Sequence, residues 1–437
     1  MNLVQQHINE ALQHLKIEAL NDLQKQTVES LSESNQLILS ATGSGKTLAF
    51  LLPLRLRLQD NLDRIQALII VPTRELAIQV ENVMRQMRSN FKILNCYGGH
   101  SFKIEQKSFS PLPSILIGTP GRICDHIERS NLDLSTVDQI VIDEYDKCLE
   151  FGFEDQMGYI FENCRPGYTT LVSATQLKTY PAYLSFKHPK IHDFLDNVKE
   201  LKHNYFKINK VGDDNFDVLA NLISSFQNEQ SIVFCNLRES TETIKENLLE
   251  RDISAVSYHG GLEQDERERA LFQFRNGSFI TLICTDLGSR GLDIPDIRNV
   301  IHFELPPKED VFIHRSGRTA RVNEEGNVFV FLDKNRSFPF SQNLQDFQIP
   351  TDVPLPQAAK WITLYMSGGK KDKINKIDIV GFLIQKGKLD KSEVGLIHVG
   401  DHLTYVAVDR TKVDDLLSII QNEKIKGQKL KINIART

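Results

Sequence analysis

The octapeptide Ser40-Ala41-Thr42-Gly43-Ser44-Gly45-Lys46-Thr47 follows the apolar run LILS directly and precedes the helical pattern LAFLLPLRLRLQ. A strand that passes through a glycine-rich loop into a helix restricts the fold to an α/β sheet with a phosphate site at its edge. The loop N–H groups curl round a phosphate chain at the helix N-terminus, Lys46 reaches the β- and γ-phosphates, and Thr47 offers a hydroxyl to Mg2+. Ser40 stands where the usual pattern starts with glycine, so the strand-loop-helix context carries the assignment together with the letters.

The rest of the chain repeats this alternation. LILS, ALIIV, SILIG, QIVID and TTLVSA are short apolar runs separated by helix-length segments, and SIVFC, ISAVSYH, ITLICT, NVIHF and NVFVFL form a second series after residue 200. Runs buried on both faces belong to parallel sheets, so two α/β lobes in tandem are expected. Neither period persists near residues 195 to 210, where the hinge is placed. Residues 337 to 356 gain proline and read as a connector. TLYMS, INKIDIVGFLIQKG, VGLIHVG, LTYVAVD, KVDDLLSIIQNE and KLKINIA then give the order βαββαβ, that of a split βαβ domain. The expected domains are 1–200, 201–350 and 360–437.

A chain of 437 residues accommodates this organisation. No apolar run approaches the ~20 residues needed to cross a bilayer, and the start, MNLVQQHINE, lacks an export signal's basic end and apolar centre, so a cytoplasmic protein is expected. Six cysteines without CxxC spacing suggest buried thiols in a reducing compartment. The net charge of -5 excludes a uniformly basic nucleic-acid binder, yet residues 360–437 hold 15 Lys and Arg against 9 Asp and Glu. A basic tail follows an acidic body.

A phosphate loop needs a carboxylate for the metal and a group that activates water. Strand QIVID ends in Asp143 and Glu144, at the carboxyl edge where such sheets bind ligands, and these take the two roles.

With these residues in place, the chain resembles the DEAD-box RNA helicases. The resemblance rests on Gln24, Ser40 to Thr47, PTRELA (72–77), Gly98-Gly99, TPGR (119–122), DEYD (143–146), SAT (173–175), FCN (234–236), TDLGSRGLD (285–293) and HRSGRTAR (314–321), in that order. It covers residues 20 to 335 and implies two RecA-like lobes that use ATP and Mg2+ and act on RNA. By this resemblance ATP lies against Gln24, Ser40, Ala41, Thr42, Gly43, Ser44, Gly45, Lys46, Thr47 and Asp293. The catalytic set is Lys46, Asp143, Glu144, Ser173, Thr175, Arg318 and Arg321, with Thr47 and Asp143 on the metal. Arg318 and Arg321 are implied to act as arginine fingers from the second lobe, Gln24 to read adenine, and Ser173 and Thr175 to couple the two sites. RNA contacts are implied for Thr73, Arg74, Gly99, Thr119, Arg122, Asn236, Thr285 and Arg290, groups that match phosphates without reading sequence. Gln264 and Arg267 fit a further motif or a charged helix face equally.

Three positions depart from the pattern. His7 stands where an aromatic normally stacks on the base, Ala320 replaces a glycine, and Tyr145 replaces the alanine of Asp-Glu-Ala-Asp. Because every charged or hydroxyl group of the site is kept, retained ATP hydrolysis is expected; the alternative is an ATP-gated RNA clamp with impaired hydrolysis.

The C-terminal segment places Tyr365 and Tyr405 on two central strands of an RRM-like sheet, where exposed rings stack bases or, in an ordinary core, pack inward. Lys370, Lys371 and Lys373 add phosphate-binding charge. The run GGKKDKINKIDIVGFL and the strands after it resemble the C-terminal domain of the DbpA/YxiN branch. That resemblance implies tethering to large-subunit ribosomal RNA and a role in ribosome assembly. A monomer is expected.

Overall fold

The computed structural model describes residues 3–40, 44–87, 90–99, 102–176, 179–195, 203–210, 215–286, 297–319, 325–333, 337–350 and 353–436. The chain divides into a unit built on Met1–Glu200 and a second built on Leu201–Ser289 and Ile294–Thr437.

The first unit is one lobe. Its strands are β1 (Asn35–Ser40), β2 (Ala67–Ile70), β3 (Ile93–Cys96), β4 (Ile115–Gly118), β5 (Gln139–Ile142), β6 (Tyr168–Ser173) and β7 (Lys190–Phe194). They form a sheet in the order β3-β4-β2-β5-β6-β1-β7, parallel throughout. The helices are α1 (Leu3–Leu15), α2 (Asp22–Glu29), α3 (Lys46–Arg57), α4 (Arg74–Gln86), α5 (Phe102–Ser108), α6 (Pro120–Glu128), α7 (Tyr145–Glu150) and α8 (Glu154–Glu162). Strand residues alternate between two apolar layers: Leu37, Leu39, Ile140 and Ile142 enter one, Ile38, Ile69 and Val141 the other. This two-sided burial makes the apolar runs continuous.

The second unit starts with another seven-stranded sheet. Its elements are β8 (His203–Asn209), α9 (Phe216–Ser225), β9 (Ser231–Phe234), α10 (Arg238–Leu249), β10 (Ala255–Tyr258), α11 (Gln264–Arg275), β11 (Thr281–Cys284), β12 (Asn299–His302), α12 (Glu309–Ser316), β13 (Gly326–Leu332) and β14 (Gln345–Asp346), with strand order β10-β11-β9-β12-β13-β8-β14. The division between the two units falls within the expected hinge region 195–210, and the later part of that region, residues 203–209, already pairs with β13 along its whole length. The connector likewise contributes β14 beside β8.

The C-terminal domain has the expected βαββαβ order: β15 (Trp361–Met366), α13 (Lys376–Gln385), β16 (Val394–Val399), β17 (Thr404–Asp409), α14 (Val413–Ile420) and β18 (Ile432–Ile434). Its antiparallel sheet has the order β16-β17-β15-β18. Leu364, Met366, Val406 and Val408 face α13 and α14 to form its core. No helix among the described residues is long and apolar enough to cross a membrane, and all six cysteines are buried thiols.

Candidate nucleotide site and nucleic-acid interface

Strand order places two groups of residues along one edge of the first lobe. β5, β6 and β1 are neighbours, and their carboxyl ends carry Asp143-Glu144, Ser173 and the phosphate loop. Ile142 lies opposite Leu171 and Leu39 opposite Ser173, so these groups leave the sheet at nearly the same level. β3, β4 and β2 are neighbours on the other half, and their ends carry Gly98-Gly99, Thr119 and Thr73. Here Ile70 and Cys96 both pair with Gly118, and Asp143 N–H donates to Ile70 O at 2.9 Å, which ties the two halves together.

Gly45 caps α3 with φ +85°, a left-handed conformation that favours glycine. A Cβ there would meet Gln24 Nε2 at 2.6 Å. Gln24 itself is held by the chain: its Oε1 accepts from Asn21 N–H at 3.0 Å and its Nε2 donates to Gly45 O at 3.2 Å. One lone pair of Oε1 and one N–H of Nε2 stay free of these two bonds. Lys46 Nζ donates to Ser40 O at 2.7 Å, which holds the amine at the carboxyl end of β1. His7 is exposed on α1. Ala41, Thr42, Gly43, Asp293, Arg290 and Arg321 lie outside the described residues.

Asp143 is buried, and its carboxyl is pushed up to about 7, first by burial and then by Glu144, with Lys46 opposing. Asp146 is also buried, and among the described residues its carboxylate accepts no hydrogen bond; Lys147 Nζ lies 4.0 Å away. Carboxylates crowded in this way and short of positive charge suit a divalent cation beside a phosphate chain. The raised value has a thermodynamic consequence. The folded protein keeps the Asp143 proton up to about pH 7, whereas the unfolded chain loses it near the ordinary carboxylate value. Stability therefore falls as pH rises through that window and stays lowered above it. Asp143→Asn should raise the melting temperature of the nucleotide-free, metal-free protein more at pH 8 than at pH 5.5; equal gains would contradict the assignment.

Glu144 adopts φ 47° and ψ 49° at the start of α7. A left-handed non-glycine residue is strained by ~1–2 kcal/mol, and here that conformation sets the carboxylate beside the end of the sheet. Tyr145 follows, fully buried in the lobe core with Tyr183 packed against the same cluster. Burial and the neighbouring Tyr183 phenol push its hydroxyl far up, so it stays neutral. The ring fills core space and displaces none of the charged groups. Tyr145→Ala should destabilise the lobe by ~3 kcal/mol through the cavity it leaves, measured by urea unfolding, while turnover per folded molecule changes only a few-fold. In SAT, Ser173 Oγ donates to Thr175 O at 2.7 Å and accepts from Thr175 N–H at 3.2 Å, closing a tight turn.

On the other half, Thr73 caps α4 by accepting from Leu76 N–H at 3.2 Å. Arg74 lies over the Tyr97 ring at 4.7 Å, and Gly99 has φ +92°. Thr119 opens α6, with Pro120 in its first turn. Arg122 Nε donates to Glu105 Oε2 at 2.7 Å, and His126 Nε2 meets the same oxygen at 2.9 Å. Cys96 lies close to both, and burial and Glu105 raise its thiol far above the ordinary range.

In the second lobe, Asn236 follows β9 and Thr285 follows β11, its neighbour in the sheet. Sequence reasoning missed the centre of this region, Arg315, the first arginine of HRSGRTAR. Its guanidinium binds both Asp286 oxygens at 2.5 and 2.8 Å, Glu304 O at 2.7 Å and Asn236 Oδ1 at 2.8 Å while fully buried. Its place within a motif already singled out was the available signal. Arg318, buried at the end of α12, is the finger candidate that the structure describes.

In the C-terminal domain, Lys370 and Lys371 are exposed on the β15–α13 loop, with Lys371 Nζ 3.3 Å from Asp401. Gly369 holds this loop against residues 400–401, since a Cβ there would come within 2.3 Å of Gly400 O. The expected exposure of Tyr405 is corrected: it is 3% exposed and stacks on Phe272 of α11, and Tyr365 beside it is half-buried.

A phosphate loop, an acidic strand end and a polar turn on one parallel sheet define a nucleotide site of the phosphate-loop class. Residues 21–181 match the DEAD/DEAH box helicase family and residues 214–323 the helicase conserved C-terminal domain. A solved structure of Mss116p bound to single-stranded RNA and AMP-PNP is similar with a TM-score of 0.67 at 28% identity, covering 75% of this chain and 72% of that one. Residues 363–434 match the DbpA RNA binding domain. The chain is 31% identical over 414 residues to the ATP-dependent RNA helicase DbpA of Escherichia coli K12, covering 90% of each. It is 27% identical over 468 aligned residues to the Bacillus subtilis 168 protein of that name, covering 97% of this chain and 96% of that one. The chain belongs to the DbpA branch of the DEAD-box ATP-dependent RNA helicases, and ATP and RNA are its family's ligands.

Proposed function

We propose that this protein locally unwinds RNA duplexes, acting on large-subunit ribosomal RNA during ribosome assembly in the cytoplasm, as a monomer that uses Mg2+. The observation that carries the reading is that one sheet edge holds two groups of residues, the phosphate loop, Asp143-Glu144 and Ser173 at β5-β6-β1 and Thr73, Gly98-Gly99 and Thr119 at β3-β4-β2, which suits phosphate chemistry on one half and phosphodiester contacts on the other. The domains assigned are 1–200 and 201–350 for the lobes and 360–437 for RNA anchoring.

Thr47 and Asp143 would hold Mg2+, which when bound supplies charge to the phosphate oxygens. Lys46 positions the β- and γ-phosphates, Glu144 takes the proton of the attacking water, and Arg318 and Arg321 stabilise the charge that develops on transfer. Ser173 and Thr175 join this chemistry to the RNA-facing half through the β6 turn. Thr73, Arg74, Gly99, Thr119, Arg122, Asn236, Thr285 and Arg290 hold one strand by its backbone. ATP and RNA together draw the lobes shut, and hydrolysis releases the strand. Tyr145 removes no reacting group, which favours turnover over a clamp.

The test is phosphate release with and without RNA, with strand displacement measured on a short duplex. Turnover indifferent to RNA overturns the reading. The tether is checked separately: replacing Lys370 and Lys371 together with alanine should lower the slope of log affinity against log salt by ~1.5, since each neutralised phosphate contributes roughly 0.7 to 0.9.

A further inference from the structure

Three side chains of lobe 1 that the reading above leaves without a task meet in one place. Cys96 ends β3, Glu105 lies in α5 and His126 in α6. All three are more than nine-tenths buried. One atom from each, the thiol sulfur, a carboxylate oxygen and an imidazole nitrogen, stands within 4.8 Å of the other two. Aromatic rings fix the imidazole: Phe102 stacks on it with centroids 4.4 Å apart, and Phe109 meets it edge-on at 5.1 Å.

Glu105 Oε2 is shared, with His126 Nε2 at 2.9 Å and Arg122 Nε donating at 2.7 Å. The other oxygen, Oε1, and His126 Nδ1 are buried and form no hydrogen bond among the described residues. Buried polar atoms are nearly always partnered, so two orphans on touching side chains beside a thiol mark a set of lone pairs that a cation would satisfy. Sulfur, imidazole and carboxylate together are zinc ligands, whereas Mg2+ takes oxygen alone. Bonds of ~2.0–2.3 Å to a tetrahedral zinc hold the ligands roughly 3–4 Å apart. Small side-chain rotations therefore close the shell.

We propose that Cys96, Glu105 and His126 bind Zn2+, with a fourth position left to water, and that the cation takes Glu105 away from Arg122. On binding, the S–H bond breaks, the sulfur electron pair goes to zinc and the proton leaves to solvent. Nothing is oxidised or reduced. Arg122 also lies 3.8 Å from Asp125 and over the Phe102 ring at 5.0 Å, so it stays anchored when Glu105 turns to the metal. Its charge is then less neutralised and more available to a phosphodiester. That last step rests on the assignment of Arg122 to RNA above; the metal site does not.

The test uses the full chain, freed of metal and brought to equilibrium with Co2+ as a spectroscopic stand-in. One equivalent should give a near-ultraviolet thiolate-to-cobalt charge-transfer band that Zn2+ removes and Mg2+ does not. Cys96→Ser should abolish the band, while Cys164→Ser, a buried cysteine outside the cluster, should keep it. Glu105→Gln should weaken binding by at least ~10-fold, the lower end of what a lost partner costs a metal site. Arg122→Ala should tighten binding by ~3–10-fold, because the thiolate and carboxylate then face the cation without a competing positive charge. A folding defect would not produce that gain. No band in the parent, a band that survives Cys96→Ser, or binding no tighter in Arg122→Ala overturns the site. Zn2+ should also raise affinity for single-stranded RNA by ~2–5-fold in the parent, through one cation made available to phosphate, and not in Cys96→Ser. An unaltered parent overturns the release of Arg122. If Arg122→Ala binds RNA as the parent does, the assignment of Arg122 to RNA fails, while the cobalt spectrum still decides the site.

Discussion

Glu144→Gln is expected to reduce RNA-stimulated ATP turnover by ~10^2 to 10^4, the range that a positioned general base contributes, while ATP still binds. Glutamine has the same shape and takes the same backbone conformation as glutamate, so the φ 47° turn is preserved. The substitution also removes the second-largest influence holding the Asp143 carboxyl at about 7. Asp143 in the variant therefore ionises at lower pH, and binding of ATP with its cation should be unchanged or tighter. A protein that binds without turning over should stay on RNA, which native gel shift with ATP would reveal as a long-lived complex. Turnover equal to that of the parent would place the base elsewhere.

Arg318→Ala should lower turnover by ~10^3 to 10^5, the effect of an arginine that stabilises charge in phosphoryl transfer, with ATP affinity altered only a few-fold. Because Arg318 is buried, a folding defect must be separated from a chemical one. Arg318→Lys keeps the charge but loses the planar fork, so it should fold normally and recover part of the rate. Arg315→Ala supplies the contrast. It removes the donors to both Asp286 oxygens, to Glu304 O and to Asn236 Oδ1, so it should lower the melting temperature of lobe 2 as well as activity. A full rate in Arg318→Ala would remove the finger assignment.

The strands that could be read in the sequence are those buried on both faces. LILS, ALII, ILIG and QIVI form β1, β2, β4 and β5, and sheet order then fixed which motifs became neighbours. β3, β7 and β8 escaped notice for a physical reason: each lies at or next to a sheet edge and lacks a continuous buried run, β3 burying only Ile93 and Cys96, β8 only Ile208, and β7 exposing three of its five residues. Motif residues were legible because phosphate chemistry demands particular groups at particular spacings. What those groups do when no ligand engages them was not. The bond of Gln24 to Gly45, the burial that raises the Asp143 carboxyl and the partners of Arg315 depend on contacts between segments separated in the chain. Tyr405 is the sharpest case. A tyrosine on a central strand reads as a base platform until Phe272, 133 positions earlier, occupies it.

The buried cysteines bear on how the protein can be observed in solution. Cys124, Cys164 and Cys235 have thiols pushed up to about 11, 12 and 12, and Cys96, Cys148 and Cys284 lie higher still, all mainly through burial. Thiolate is scarce at neutral pH and the sulfurs are shielded, so maleimide dyes will pass over the native set. One surface cysteine introduced into each lobe would then carry a donor and an acceptor with little background labelling, and opening and closing could be timed by fluorescence transfer in the otherwise unaltered chain.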